Sequence, residues 1–203
     1  FLQKAAPGFS IGRPRLLIAI PASITSVERR AVAQAGREAG GGQVYLMEEP
    51  ILAALGAGLD ISGPRGHMIV DIGGGTSDIA VLSMNEMVRQ ISTRVGGDAF
   101  DEAIVRYVRR AFNMVIGEST AEQAKIAVGS AMPMERKETE IRGRNLVTGL
   151  PRGLIIDSYT LREAIDEPLG VIRRAVRQVL DSTPPELLGD IIDRGIVLTG
   201  GGA

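Results

Sequence analysis

The order of apolar and polar residues along the chain predicts short strands alternating with helices. Continuous apolar runs such as Arg15 to Ile20 are typical of strands buried on both faces, and apolar residues three and four positions apart are typical of helices. Strands are predicted at 15–20, 43–47, 68–72, 77–82, 86–94, 154–156 and 195–199, an exposed charged ribbon at 132–150, and helices at 25–39, 51–58, 98–115, 120–129, 160–180 and from 185 onward. The first four elements are strand, helix, strand and helix, which predicts a right-handed parallel crossover and the α/β class.

Three segments have the spacing of a capping box, in which a Thr and an acidic or amide side chain three residues later satisfy each other's backbone N–H groups. They begin at Thr25, Thr120 and Thr160, and each is predicted to start a helix. The carboxylate of Asp98 is predicted to cap a fourth helix, and Pro168 is expected to bend the helix that contains it. The fourth helix is predicted to have one apolar inward face, formed by Phe100, Ile104, Tyr107, Val108, Ala111 and Val115.

A glycine-rich turn between two short apolar strands is the strongest candidate for a ligand site. Gly73, Gly74 and Gly75 can take positive φ and bring bare backbone N–H groups against an anion, and Thr76 adds a hydroxyl donor. Asp71 ends the first strand at the mouth of this turn, where a carboxylate beside a phosphate suits a hydrated Mg²⁺. An ordinary tight hairpin is the alternative. The chain contains neither a Walker P-loop nor a Gly-x-Gly-x-x-Gly segment that opens a helix.

Two further segments carry polar groups at the ends of predicted elements. Glu49 follows a strand of the parallel crossover, and ligands gather at the carboxyl ends of such strands. Gly96 and Gly97 precede Asp98 at a helix N-terminus, where the free N–H groups and the helix dipole favour an anion. A plain capped helix explains the glycine pair equally well.

The second half of the chain adds two more candidates. Glu122 and Lys125 are three residues apart on one predicted helix face, where a surface ion pair is the simpler interpretation of the spacing alone. Gly200, Gly201 and Gly202 form a second glycine cluster at a strand end, which lets the backbone pass close to a flat or polyanionic ligand. Two such clusters together favour a nucleotide over either one alone.

Composition limits the classes of partner and chemistry. The 203 residues are 44% hydrophobic, with 23 basic and 24 acidic side chains, so the basic field that attracts nucleic acid is lacking and no nucleic acid is expected as a partner. The chain has no cysteine and no apolar run of eighteen residues, which excludes disulfides, thiol catalysis and a transmembrane helix. His67 lies within a predicted strand and is assigned no chemistry.

The glycine-rich and acidic segments resemble, in order, motifs of the actin, sugar kinase and heat-shock chaperone ATPase superfamily, and within it the MreB family of bacterial actins. The resemblance spans nearly the whole chain. The matching segments are Met47–Pro50, Asp71–Thr76, Gly96–Asp101, Ile116–Glu122 with Lys125, and Leu198–Ala203.

The resemblance implies an actin-like fold in which ATP is held between two lobes, each built around a ribonuclease-H-like mixed sheet flanked by helices. The lobes would be residues 1–65 and 66–203, with 96–152 as a smaller subdomain of the second. Asp71 to Thr76 would be the second phosphate loop, Gly200 to Ala203 the loop beside adenine, and Glu122 and Lys125 the residues that line ribose and adenine.

Glu49 matches the residue that positions or activates the attacking water, so the resemblance implies ATP hydrolysis by the full-length protein. The family's first phosphate loop has no match here, and the chain runs from Phe1, with no initiator Met, to Ala203 directly after a strand, so an internal fragment is expected. Two departures are the flexible Gly40–Gly42 link and Asp78, where the family has a glutamate. Neither position touches the phosphates in the family.

The family also implies a cellular setting. Its members form filaments on the cytoplasmic face of the cell membrane, organise cell-wall synthesis proteins and maintain rod shape. Phe9 and Ile11, flanked by Arg13 and Arg15, resemble a membrane-inserting loop, for which a buried entry strand is the alternative. A chaperone-type ATPase of the same fold and a small-molecule kinase are the competing functions.

Overall fold

The computed structural model describes residues 12–203 of the chain. The strands are β1 Arg15–Ile20, β2 Gln43–Glu48, β3 His67–Ile72, β4 Ser77–Ser83, β5 Glu86–Thr93, β6 Met114–Val115, β7 Glu138–Asn145, β8 Pro151–Asp157 and β9 Ile196–Thr199. The helices are α1 Ser26–Glu38, α2 Glu49–Gly56, α3 Gly97–Phe112, α4 Glu118–Val128, α5 Ser158–Ser182 and α6 Pro185–Arg194. None of these helices is both long and apolar enough to cross a membrane.

The described residues form two compact units. Unit 1 contains the described residues up to 71 together with 78–92 and 179–199, and unit 2 contains 72–77, 93–178 and 200–203. The predicted lobe boundary at residue 66 lies inside unit 1. Compact units and the lobes of a family fold are different partitions of a chain, so the division into 1–65 and 66–203 stays a prediction.

The parallel crossover at the start of unit 1 is confirmed, because β1 and β2 pair in parallel from Arg15 opposite Gln43 onward. Helix α1 packs closely on this pair, and a Cβ on Gly36 would lie 3.0 Å from a methyl of Val44. The prediction that β1 is buried on both faces is wrong. The side chain of Leu17 is 56% exposed, because the apolar residues of β1 alternate between the face toward α1 and an open face.

The second sheet of unit 1 has the strand order β5-β4-β3-β9. Strands β3 and β9 pair in parallel, and β4 connects to β5 through Met84 and Asn85, both with positive φ as in a type I′ turn. Every residue of β4 is buried, and apolar side chains of α2, β3, β4 and β9 form one core cluster. The middle of β4 is therefore a continuous apolar run, and the buried polar residues at its two ends need hydrogen-bond partners.

Unit 2 is built from α3, α4, the antiparallel sheet β6-β7-β8 and most of α5. Helix α3 packs against α4 and β6. Of its predicted inward face, Phe100, Ile104 and Val108 are at most 3% exposed. Ala111 is exposed instead, and Val115 lies beyond the helix in β6. Helix α5 contains Pro168, as predicted.

The predicted helix starts are confirmed at one position and wrong at three. The Thr25 capping box forms in full, with Glu28 bonded back to the Thr25 backbone. Helix α4 starts earlier than predicted, at Glu118, so Thr120 lies inside it, and α5 starts after Asp157, whose carboxylate accepts the N–H of Thr160. Asp98 does not cap α3, because the first N–H groups of that helix donate to backbone carbonyls outside it.

Candidate functional site

The glycine turn after β3 rests against the start of α3, within unit 2. The N–H of Gly97 donates to the carbonyl of Gly73, and the N–H of Asp98 donates to the carbonyl of Gly74, both at 2.9 Å. A Cβ on Gly96 would lie 2.5 Å from both of those carbonyl oxygens. The two glycine motifs predicted separately are therefore one backbone-to-backbone contact that only glycine permits at residue 96.

The glycines of the first cluster do not adopt the positive φ values expected of them. Among the described residues, positive φ values occur elsewhere, and none of Gly73, Gly74 or Gly75 has one. The turn instead closes through the Gly73 N–H and the Thr76 carbonyl, 2.8 Å apart. Within the described part of the chain, the N–H groups of Gly74 and Gly75 have no protein acceptor, so they are free to bind an anion.

The second glycine cluster lies beside the first. The Gly202 N–H donates to the carbonyl of Ile72 at 2.8 Å, and a Cβ on Gly202 would lie 2.7 Å from the Ile72 side chain. Gly200 has a φ of +93°, a conformation that side chains disfavour. Residues about 130 positions apart in sequence are thereby brought together at the end of β3.

Lys125 of α4 is partly buried against the start of α3. Its ammonium group lies 2.9 Å from both carboxylate oxygens of Asp101 and 3.1 Å from the Gly97 carbonyl. The surface ion pair with Glu122 does not form. Sequence reasoning missed Asp101, although a carboxylate on the buried face of α3, between Phe100 and Ile104, signals the need for a cationic partner.

The remaining predicted site residues line two different cavities of unit 2. One of about 360 Å³ is lined by Lys125, Ile165, Leu169 and the Gly201–Ala203 backbone, a combination of apolar side chains and bare peptide that suits a flat ring. The other, of about 390 Å³, is lined by Glu122 and the acidic side chains Asp98, Asp101, Glu102 and Glu118. Glu122 thus faces a different cavity from Lys125.

Glu48 ends β2 and Glu49 starts α2, and the two side chains have different surroundings within unit 1. Glu48 forms an ion pair with Arg29, and that hydrogen bond lowers the pKa of Glu48. Burial raises the pKa of Glu49, and the charges of Asp78 and Asp71 raise it further. Only Glu49 therefore lies in the field of other carboxylates.

Asp78 is a candidate that sequence reasoning set aside. Its side chain is 3% exposed, and its Oδ1 has no hydrogen-bond partner among residues 12–203. Burial raises the pKa of Asp78, a hydrogen bond from Ser92 opposes this, and the charge of Asp71 adds to the increase. Burial also raises the pKa of Asp71. The signal in the sequence that could have identified Asp78 is its carboxylate beside the apolar residues of β4.

Asp78→Asn is expected to stabilise the complete gene product at neutral pH without nucleotide or metal. Because the folded state raises the pKa of Asp78, stability is lost as the pH rises from the usual carboxyl range through the raised folded value. The neutral amide removes that loss, so the urea midpoint should rise at pH 7.5 and the gain should shrink as the pH falls toward 4. Exposed Glu135→Gln is the control, and a lower midpoint for Asp78→Asn at every pH would contradict the expectation.

Residues 12–203 contain no group of three or more His, Asp or Glu side chains arranged to hold a metal by themselves. The predicted membrane loop at Phe9 and Ile11 lies outside the described residues.

Comparison with known proteins identifies relatives over the whole length of the chain. Two curated relatives are the cell shape-determining protein Mbl of Bacillus subtilis, 49% identical over 100% of this chain and 61% of that protein, and the cell shape-determining protein MreB of Escherichia coli, 52% identical over 99% of this chain and 58% of that protein. The chain thus spans about three fifths of the length of these relatives.

Solved structures with the same fold include MreB5 of Spiroplasma citri bound to ADP, with a TM-score of 0.91 and 39% identity over 95% of this chain and 59% of that one. A MamK double helical filament matches with a TM-score of 0.78 over 99% of this chain and 60% of that one, at 21% identity, and so bears on the fold alone. The predicted actin-like α/β fold is confirmed. The model of the MreB/Mbl protein family matches residues 1–203, and the chain belongs to that family.

Proposed function

We propose that this protein is an ATP-binding, filament-forming bacterial actin that organises cell-wall synthesis and maintains rod cell shape. The observation that carries the proposal is the convergence, within unit 2, of the Gly73–Gly75 turn, the Gly96–Asp98 helix start and the Gly200–Gly202 cluster. Its relatives are named for cell shape, and MreB5 of Spiroplasma citri has been crystallised with ADP and with AMPPNP.

The residues present fit a nucleotide on chemical grounds. The free N–H groups of Gly74 and Gly75 would bind phosphate oxygens, with Thr76 as a hydroxyl donor. The cavity beside Gly201 would hold the adenine ring, with Lys125 at its wall, and the acid-lined cavity at Glu122 would face the ribose hydroxyls.

The carboxylates of unit 1 fit a cation and a positioned water. Burial raises the pKa of Asp71, Asp78 and Glu49. The charge of Asp71 raises the pKa of the other two further, and a nearby positive charge would oppose these increases. We assign Asp71 to Mg²⁺, through water. When bound, Mg²⁺ offsets the charge on the phosphate oxygens during transfer to water. Glu49, with its raised pKa, would accept a hydrogen bond from the attacking water and hold it in line.

The competing functions lose support from the comparisons. A chaperone-type ATPase and a small-molecule kinase share the superfamily fold, but the family model that matches the chain is that of MreB and Mbl. Fold alone does not separate these three functions. The family match does, because it extends over every residue of the chain.

Assembly of the complete gene product tests the proposal directly. With Mg-ATP the protein should pellet in high-speed centrifugation and form filaments visible by electron microscopy, and far less should pellet without nucleotide. A fluorescent ATP analogue should bind the same preparation. Absence of both nucleotide binding and nucleotide-dependent pelleting, in protein shown to be folded by circular dichroism, would refute the proposal.

We propose that the protein binds the inner face of the cell membrane through an apolar tip that contains Phe9 and Ile11. Changing both residues to Ser should release filaments from anionic liposomes, because one tip binds weakly and many along a filament bind together. The matched control changes two exposed apolar residues of unit 1, Val27 and Leu55, to Ser. Co-sedimentation of the Phe9 and Ile11 variant at the parent level would show that this loop is not the anchor.

A further inference from the structure

A cavity of about 220 Å³ lies at the start of β3 and takes no part in the proposed nucleotide site. Six residues of unit 1 line it: Asp60, Gly63, Pro64, Arg65, His67 and Arg194. His67 and Asp71 stand four positions apart in β3, so their backbones are roughly 13 Å apart at about 3.3 Å per residue. The cavity is therefore separate from the carboxylate that we assign to Mg²⁺.

The pairing of β3 with β9 explains why these residues meet. The two strands run in parallel with Met68 opposite Ile196, so the segments that lead into them also lie side by side. Arg65 and His67 therefore line the same cavity as Arg194, although about 130 positions separate the two segments. Local sequence patterns give no sign of this cluster, because only strand pairing brings its members together.

Hydrogen bonds hold the loop that carries Arg65 from two sides. The Gly63 carbonyl accepts the N–H of Met84 at 2.9 Å, which ties the loop to the turn between β4 and β5. The Gly66 N–H donates to the carboxylate of Asp190 at 2.8 Å, which ties the loop to α6. The backbone around the cavity is thus fixed before a ligand arrives, and a preformed site loses less entropy on binding.

The basic side chains of this cavity have unused hydrogen-bond donors. Neither Arg65 nor Arg194 forms an ion pair or a side-chain hydrogen bond within residues 12–203. His67 is 7% exposed, and its imidazole makes no hydrogen bond to any of these residues either. Buried polar side chains are normally hydrogen-bonded, so an unbonded buried imidazole on a cavity wall indicates a ligand.

One carboxylate also lines the cavity. Oδ1 of Asp60 accepts the Ser62 N–H at 3.1 Å and the Ser62 hydroxyl at 2.6 Å, whereas Oδ2 accepts no hydrogen bond among the described residues. The bonds from Ser62 lower the pKa of Asp60, and the charge of His67 lowers it further. Two arginines against one aspartate leave the lining with a net positive charge.

We propose that this cavity binds inorganic phosphate. Guanidinium groups hold phosphate oxygens through charge-assisted N–H bonds, and the imidazole of His67 supplies a further donor from the wall. A volume of about 220 Å³ is below the range of about 300–1,000 Å³ that is usual for larger ligands, which favours a small ion. The inference goes beyond the proposed function and does not depend on it.

Asp60 makes the site selective for an oxyanion that carries a proton. An ionised carboxylate only accepts hydrogen bonds, so its free Oδ2 would accept the O–H of hydrogen phosphate. Sulfate has no proton at neutral pH and would meet an unshielded negative charge at the same position. The cavity is therefore expected to bind phosphate at least about tenfold more tightly than sulfate, the difference between a charge-assisted hydrogen bond and a repulsive contact.

Phosphate titration of the complete gene product, in the presence of excess ADP to fill the proposed nucleotide site, tests the inference. Isothermal titration calorimetry at neutral pH should give a Kd for inorganic phosphate of about 1 mM or tighter, which a few charge-assisted bonds supply. The imidazole resonance of His67 should shift during the same titration. Its absence from the spectrum of His67→Gln assigns that resonance.

Arg65→Ala and Arg194→Ala should each weaken phosphate binding at least about tenfold, and Asp60→Asn should reduce the preference over sulfate to within about threefold. The matched control is Arg37→Ala, because Arg37 is an exposed arginine in the last turn of α1, as Arg194 is in α6. It should bind phosphate as the parent does.

Binding of a fluorescent ATP analogue verifies that each variant is folded and is measured separately from phosphate. A parent that binds the analogue but no phosphate would overturn the inference and leave the proposed function standing. Parent-level phosphate affinity in both Arg65→Ala and Arg194→Ala would also overturn it, as would an equal loss in Arg37→Ala, which would indicate unspecific attraction. Phosphate binding with an unmoved His67 resonance would place the anion elsewhere.

Discussion

Glu49→Ala is expected to leave ATP binding nearly intact and to lower ATP turnover by about 10²–10⁴-fold, the usual effect of losing a general base. Glu49 directly follows β2 of the parallel crossover, and its pKa is raised by burial and by the charges of Asp78 and Asp71. A carboxylate with a raised pKa is a better proton acceptor, so its loss should affect the hydrolysis step more than binding. Phosphate release at saturating Mg-ATP measures the effect.

Glu48→Ala is the internal control for this prediction. Glu48 is the neighbouring carboxylate, but it pairs with Arg29, and the hydrogen bond lowers its pKa. Its removal should cost some stability and leave turnover within about threefold of the parent, because a surface ion pair contributes at most about 1 kcal/mol. Asp71→Ala should instead weaken Mg²⁺-dependent binding. Loss of turnover in Glu48→Ala with activity retained in Glu49→Ala would mean that the roles are exchanged.

Gly96→Ala is expected to weaken ATP binding by about 10²-fold. The added Cβ would lie 2.5 Å from the carbonyl oxygens of Gly73 and Gly74, where an ordinary contact begins at 3.4 Å. The glycine turn would have to move by roughly 1 Å, and a displacement of that size in a binding site can cost about 10²-fold. The same overpacking should lower the free energy of unfolding by about 1–3 kcal/mol.

The matched control is Gly117→Ala, also at a helix N-cap of unit 2 and with nothing within 4 Å of its added Cβ. It should bind a fluorescent ATP analogue as the parent does. Parent-level affinity in Gly96→Ala, with protein shown to be folded, would mean that the contact between the glycine turn and α3 does not support the nucleotide site.

Local sequence patterns were sufficient where the physical cause is local. The inward face of α3 and the Thr25 capping box follow from residues within a few positions of one another. The parallel β1-β2 crossover follows from the order strand, helix, strand in neighbouring segments. The Asp98 cap was mispredicted for the opposite reason. The first N–H groups of α3 are satisfied by the carbonyls of Gly73 and Gly74, more than twenty residues away, so Asp98 has no need to cap them.

The sequence by itself determined the α/β class, the family and the order of the glycine motifs, because spacing and residue type are properties of the chain. It did not determine which groups meet. Lys125 could pair with Glu122 by spacing, yet it binds Asp101, and Asp78 reads as tolerated variation, yet it is a buried carboxylate with a free oxygen. Burial and long-range contact set the surroundings of a charge, and both exist only after the chain has folded.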